Sequence, residues 1–397
     1  MRKLSFLFAI VLILSFGLSG CAKPAETENP GTSEKKLTST ESDVIKIGVF
    51  EPITGANAGG GALEVEGVKL ANKLYPEVLG KKIELVIVDN KSDKVEAANA
   101  AALLVEKEKV SAIIGSWGSS LSMAAGDIVR NAKVPAVGAS CTNPLVTQNN
   151  NYYFRVCFID PFQGTVMANY AYNNLGARKA AIIQEVSNDY SVGLAKYFVD
   201  SFKTLTGDEN SIVATSNYNT GDQDFTAQLT NVSAAKPDVI FAPGNFTESA
   251  LLIKQARQLG ITVPIIGGDT WETPEFIEIG QADVEGTVFS TFFATEKPIT
   301  AESEKFLTEY RKEYNKEPAA VTALGYDAYI LILDAIKRAG SADPVKIRDE
   351  IARTKDFMGA AGVITLDENG DAVKDAVIKV VKDGKFTYMD TVKPQIK

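Results

Sequence analysis

Short apolar runs recur along the chain, and longer stretches with helical spacing separate them. Residues 45–50, 83–89, 112–115 and 134–138 are rich in β-branched side chains and read as strands. Between them Ala97, Ala101 and Leu104 share one helical face, and so do Leu121, Ala125, Ile128 and Ala132. After residues 153–158 the alternation restarts. Residues 180–185, 212–216, 239–243, 264–268 and 287–292 read as strands. Phe225, Leu229 and Val232, then Leu252, Ala256 and Leu259, mark helices between them.

A strand–helix alternation of this kind builds a parallel sheet with helices on both faces. Two rounds of it predict an α/β protein of two doubly wound lobes. A helix over 322–339 stops at Gly340, and Asp343-Pro344 opens another with an acidic cap and a first-turn proline. The tail switches to alternation over 363–366, 376–381 and 386–389, with a turn at Asp367-Glu368-Asn369-Gly370, a β-hairpin pattern.

The start of the chain reads as an address. Arg2 and Lys3 precede an apolar run from Leu4 to Leu18, which is the length of a signal-peptide core and short for a membrane span. Leu18-Ser19-Gly20-Cys21 is similar to a bacterial lipobox, which implies that residues 1–20 are removed and Cys21 is lipidated; an ordinary secretory leader is the other reading. Residues 21–43 are polar and read as a disordered tether with a reach of roughly 25 Å.

Composition removes several functions. The 397 residues include no histidine, so Ser-His-Asp and Cys-His centres and His-ligated zinc are excluded. Lys and Arg total 41 against 50 Asp and Glu, and the formal net charge of −9 argues against nucleic acid as the partner. No metal or cofactor motif emerges. Asp367 to Asp371 faintly echoes a calcium loop, but its glycine is misplaced and the final Glu is absent. Gly59-Gly60-Gly61 reads as a flexible rim loop, with a phosphate cradle as the other use. Cys141 and Cys157 are the only cysteines of the body, and spacing alone leaves a disulfide open.

Three strand ends carry candidate chemistry. Trp117-Gly118-Ser119-Ser120 leads into a helix whose first N–H groups and hydroxyls suit an anion, or simply cap it. Ser140-Cys141-Thr142-Asn143-Pro144 follows the next strand and is either a second polar edge or a plain turn. Asp269, beside Trp271, is an acid at a strand's carboxyl end, suited to an ammonium or to solvent.

Together these segments resemble a known family. Residues 47–55, the Ser119-Ser120 helix start, the 140–144 loop, Arg155 to Gly164, Gly221 to Phe225 and Gly325 to Tyr329 are similar, in order and spacing, to type I periplasmic binding proteins of the leucine/isoleucine/valine-binding branch. The resemblance runs from about Val44 to Tyr388. It implies two lobes joined by a three-strand hinge, with crossings near 156–160, 288–292 and Ile364. The lobes would comprise 44–158 with 289–362, and 159–288 with 363–397.

The resemblance further implies a zwitterionic amino acid in the cleft, bound by hinge closure. Ser119, Ser120 and Thr142 fall where the family holds the carboxylate. The Cys141 carbonyl and the Asp269 carboxylate fall at the ammonium, and Tyr190 closes over the ligand. Trp117 and Phe246 are the candidate apolar walls, and Asn245 stands where the family often has a tyrosine. It implies no cofactor, a non-enzymatic monomeric receptor, an ABC permease as partner, and a lipid-anchored place on the outer face of the cytoplasmic membrane. A sensor of the same fold, a receptor for a small amide or urea-type solute, and a secreted enzyme using paired carboxylates are the alternatives.

Overall fold

In a computed structural model, residues 43–394 are described. The leader 1–20, Cys21 and the tether up to residue 42 lie outside them. The chain enters the first sheet at β1 (Val44–Glu51) and passes through α1 (Ala58–Leu74) to β2 (Glu77–Val78) and β3 (Lys81–Asp89). It continues through α2 (Lys94–Ala102), β4 (Ala112–Ile114), α3 (Ser119–Ala132), β5 (Ala136–Gly138) and β6 (Tyr153–Arg155). The sheet order is β2-β3-β1-β4-β5-β6, parallel except for the edge strand β2.

The near-continuous apolar runs follow from burial on both faces. Ile45, Ile47 and Val49 of β1 point into one core cluster, while Phe50 joins Ile113, Leu104 and Leu121 in the cluster on the other side. In α3 the buried stripe is Leu121, Ala125 and Val129; Ala132, expected on it, is exposed. The register follows Val129 because that residue completes the 4-residue spacing that faces the sheet.

The second round runs α4 (Asp160–Asn169), β7 (Ala180–Glu185), α5 (Asp189–Thr206), β8 (Ile212–Tyr218), α6 (Thr226–Ala234) and β9 (Val239–Phe241). It ends with α7 (Phe246–Gln258), β10 (Ile265–Gly267), α8 (Pro274–Gly280) and β11 (Val288–Thr291). Then come α9 (Ala301–Tyr314), α10 (Ala320–Ala339), α11 (Pro344–Ala352), β12 (Phe357–Gly359), β13 (Gly362–Leu366), β14 (Ala372–Val373), β15 (Ala376–Lys382) and β16 (Lys385–Val392). The second sheet has the order β16-β15-β11-β10-β9-β7-β8. Its first five sequential strands are parallel, and the β15–β16 hairpin adds antiparallel at one edge. The protein is therefore a two-lobed α/β fold with mostly parallel sheets. β11 lies wholly in the second sheet, and β13 pairs with β12 and β14 rather than with the hairpin.

Two glycine features set the first lobe's shape. Gly59, Gly60 and Gly61 form the first turn of α1 and not a loop. A Cβ on Gly60 would lie 2.3 Å from the Trp117 ring, so glycine lets that indole lie against the helix. Farther along, α1 and α10 cross backbone to backbone. A Cβ on Gly67 would meet the Thr322 carbonyl at 2.0 Å, and one on Gly325 would meet the Glu64 carbonyl at 2.3 Å.

Arg155, at the end of β6, is fully buried. Its guanidinium pairs with Asp371 (Nε to Oδ1, 2.7 Å) and donates to the Asn143 carbonyl at 2.9 Å and Thr147 Oγ1 at 2.8 Å. The 367–371 turn is thus a structural clamp joining β13 and β14 to β6, and no cluster of metal-type ligands occurs among the described residues. Cys141 and Cys157 are buried free thiols.

Candidate functional site

The carboxyl ends of both sheets open on one cavity of about 90 Å³. From the first lobe it is lined by Asn57, Ser92, Lys94, Trp117, Ser119, Ser120 and Ser140; from the second by Glu185, Asn188, Tyr190, Thr220, Asn245 and Thr270. This is the crevice expected of open parallel sheets.

Ser119 and Ser120 are the first residues of α3, with Gly118 at positive φ (92°) before them. The Leu121 and Ser122 N–H groups return to the Gly118 carbonyl at 3.1 Å and 3.2 Å, which leaves the N–H groups of Ser119 and Ser120, on the cavity wall, as candidate anion donors. Ser119 Oγ accepts from Asn143 N–H at 3.1 Å, which ties this helix start to the 140–144 loop. Ser120 has a different use. Its Oγ donates to Asp189 Oδ2 at 2.7 Å and accepts from Asp189 N–H at 3.0 Å, across the cleft.

In the second lobe, Asp269 opens a short 3-10 turn directly after β10. Its Oδ1 accepts from Gln163 Nε2 at 2.7 Å and from the Tyr190 hydroxyl at 2.9 Å. Burial pushes its carboxyl up to about 6, against the lowering effect of those two donors. Asp160, at the start of α4, is raised to about 8 by burial, and the neighbouring Asp269 adds to the rise. The Thr142 hydroxyl faces Asp160, but both Asp160 oxygens, Thr142 Oγ1 and Gln163 Oε1 are buried without a partner of normal hydrogen-bond geometry. Such a cluster of unsatisfied polar atoms is costly unless something fills it.

Of the residues expected at the site, Trp117, Ser119, Ser120, Tyr190 and Asn245 line the cavity. Phe246 stands behind, edge-on to Trp117 with ring centroids 6.2 Å apart. Asp269 and Thr142 are buried beneath the lining, Asp269 bonded to Tyr190. Cys141 is turned away. Its thiol belongs to the core and its carbonyl accepts from Arg155 Nη1, so Ser140 takes the cavity position instead. The glycine run contributes no loop over the ligand; Asn57, just before α1, reaches across, accepting from Asn245 Nδ2 at 3.0 Å.

Glu185 escaped the sequence reading. It is fully buried at the end of β7 and accepts from the Thr220 hydroxyl, Asn188 Nδ2 (3.1 Å) and Asn245 N–H (3.3 Å). Its position at a strand's carboxyl end was the available signal. Lys94 was also missed: its Nζ pairs with Asp189 at 2.9 Å.

The described helices include none long and apolar enough to cross a membrane. A family model described as periplasmic binding protein matches residues 44–385. The leucine binding protein LivK of Thermotoga maritima is 46% identical, with a TM-score of 0.86 over 88% of this chain and 99% of that one. The branched-chain amino acid transporter substrate binding protein LivJ of Streptococcus pneumoniae, solved with isoleucine, is 35% identical, with a TM-score of 0.83 over 88% and 100%. An amino acid binding protein of Pseudomonas aeruginosa is 30% identical over 352 residues, 87% of this chain and 92% of that protein.

Proposed function

The chain belongs to the periplasmic binding protein family, and from that premise we propose that it captures a free amino acid, branched-chain or similarly apolar, and delivers it to an ABC permease. The first lobe takes the carboxylate through the N–H groups at Ser119 and the Thr142 hydroxyl. The second takes the ammonium through Asp269, with Tyr190 as lid. The Ser140 segment replaces Cys141 at the ammonium. Trp117 and Phe246 wall the side-chain end. The observation that carries this reading is Asp269, a buried acid at a strand's carboxyl end that accepts from the Tyr190 hydroxyl, while the α3 helix start lines the same cavity from the first lobe. A buried zwitterion needs both ends neutralised, and these groups are of the right sign at each.

Capture without turnover fits the site, whose only strong chemistry is recognition. The hinge runs after Arg155, after Thr291 and near Ile364. Lipidation at Cys21 would hold a monomeric body at the outer face of the cytoplasmic membrane. Blocking lipoprotein signal peptidase should leave an uncleaved precursor, and normal maturation would contradict the anchor. A second ligand reading, a small amide or urea-type solute, is favoured by the polar wall of Glu185, Thr220 and Asn245. A thermal-shift screen of the twenty amino acids, urea and small amides separates the two. A rise with apolar amino acids alone supports the first reading, and a rise with amides alone supports the second.

A further inference from the structure

Behind the first-lobe wall of the cavity lie two carboxyl groups that do not line it. Glu51 ends β1 and Glu64 stands on α1; both are fully buried. Glu51 Oε2 accepts from the Trp117 N–H at 2.6 Å and lies 3.4 Å from Ser116 Oγ. Glu64 Oε1 accepts from the Ser140 hydroxyl. Trp117 and Ser140 both line the cavity. The remaining oxygens, Glu51 Oε1 and Glu64 Oε2, receive no hydrogen bond from another residue. The two carboxyl groups are within hydrogen-bonding reach of each other. Two carboxylates offer only acceptors, so a bond between them requires a proton.

We propose that Glu51 and Glu64 form a protonated, hydrogen-bonded pair that positions Trp117 and Ser140, so that ligand affinity falls as the pair ionises. Among the described residues no cation is paired with either carboxyl group. The groups facing the pair are the Cys141 thiol and the Tyr153 phenol on β6, both kept neutral by burial. The Arg155 guanidinium beyond Cys141 is held by Asp371. Burial raises Glu51 to about 8 and Glu64 well above its ordinary range, the latter further through Glu51. Ionising both would set like charges against each other and pull on the two loops that floor the cavity.

The inference rests on the proposed amino-acid reading only for its binding assay. L-leucine is titrated calorimetrically into wild type, Glu51→Gln and Glu64→Gln at about pH 7 and about pH 9. Glutamine supplies the shared hydrogen permanently. Wild-type affinity is expected to fall about tenfold, and each variant's by no more than about twofold. The leucine ammonium itself begins to deprotonate in this range, so an equal fall in wild type and variants overturns the proposal. A ligand-free arm stands apart from the amino-acid reading. A group raised in the folded state stabilises it below the unfolded value and loses that stabilisation as pH rises toward the folded one. The wild-type melting temperature should therefore drop between about pH 5 and pH 8 more steeply than that of either variant. Parallel curves would overturn the protonated pair, whether or not leucine binds.

Discussion

Ser120 and Asp189 are joined twice across the cleft. The Ser120 hydroxyl donates to the Asp189 carboxylate and accepts from the Asp189 N–H, at 2.7 Å and 3.0 Å. Lys94 pairs with the same carboxylate, and Asn143 Nδ2 donates to the Asp189 carbonyl at 2.8 Å. The start of α5 is thus gripped from three first-lobe positions, which describes a closed pair of lobes. Closure of this kind couples ligand capture to a rotation that a partner can read.

Asp189→Ala removes most of that grip without touching the core. The apo protein should shift toward an open form, with a larger radius of gyration by solution scattering. Ligand should dissociate faster, by about threefold to thirtyfold, at unchanged melting temperature. An unchanged dissociation rate would show that the contacts are incidental.

Gly193 is packed against the same junction. A Cβ there would lie 2.6 Å from Asn143 Nδ2. Gly193→Ala should weaken binding severalfold while the ligand-free fold keeps or gains stability, since alanine favours a helix by about 1 kcal/mol. Loss of stability and affinity together would point to simple damage.

The Arg155–Asp371 pair should behave as a buried ion pair does. Asp371→Asn strands a guanidinium that no water reaches and should cost about 3–5 kcal/mol, read by chemical denaturation. A cost below about 1 kcal/mol would place the clamp's energy in Thr147 and the loop carbonyls instead.

Asp269, the proposed partner of the ammonium, gives a pH signature of its own. With Asp269 raised to about 6, acidification below that value protonates it and removes the ammonium's partner. Affinity should fall as pH falls through about 6, approaching tenfold per unit, and Asp269→Asn should flatten the profile at low affinity. A flat wild-type profile would move the ammonium elsewhere.

Much of this was legible in the chain. Two-sided burial of the parallel strands leaves near-continuous apolar runs, so β1, β7 and β9 announce themselves. Strand ends mark the crevice, so Trp117, Ser119 and Asp269 stand out in the sequence itself. What stayed hidden depends on distance. Gly60 looks like loop until the Trp117 indole lies on it. Cys141 looks like a cavity residue until Arg155 takes its carbonyl. Glu51 and Glu64 are ordinary acids until α1 and β1 bring them together, 13 positions apart in sequence. The use of Ser120 as a tie between lobes is equally invisible, because Asp189 is remote in sequence.

The central claim is that opposite lobes neutralise opposite ends of one small zwitterion. Calorimetric titration of the wild-type protein with L-leucine and with 4-methylpentanoate, the same skeleton without its ammonium, tests it most directly. Leucine should bind saturably and at least about 100-fold more tightly, since loss of the ammonium leaves Asp269 buried and unpaired. Equal affinity for the two compounds would contradict the account.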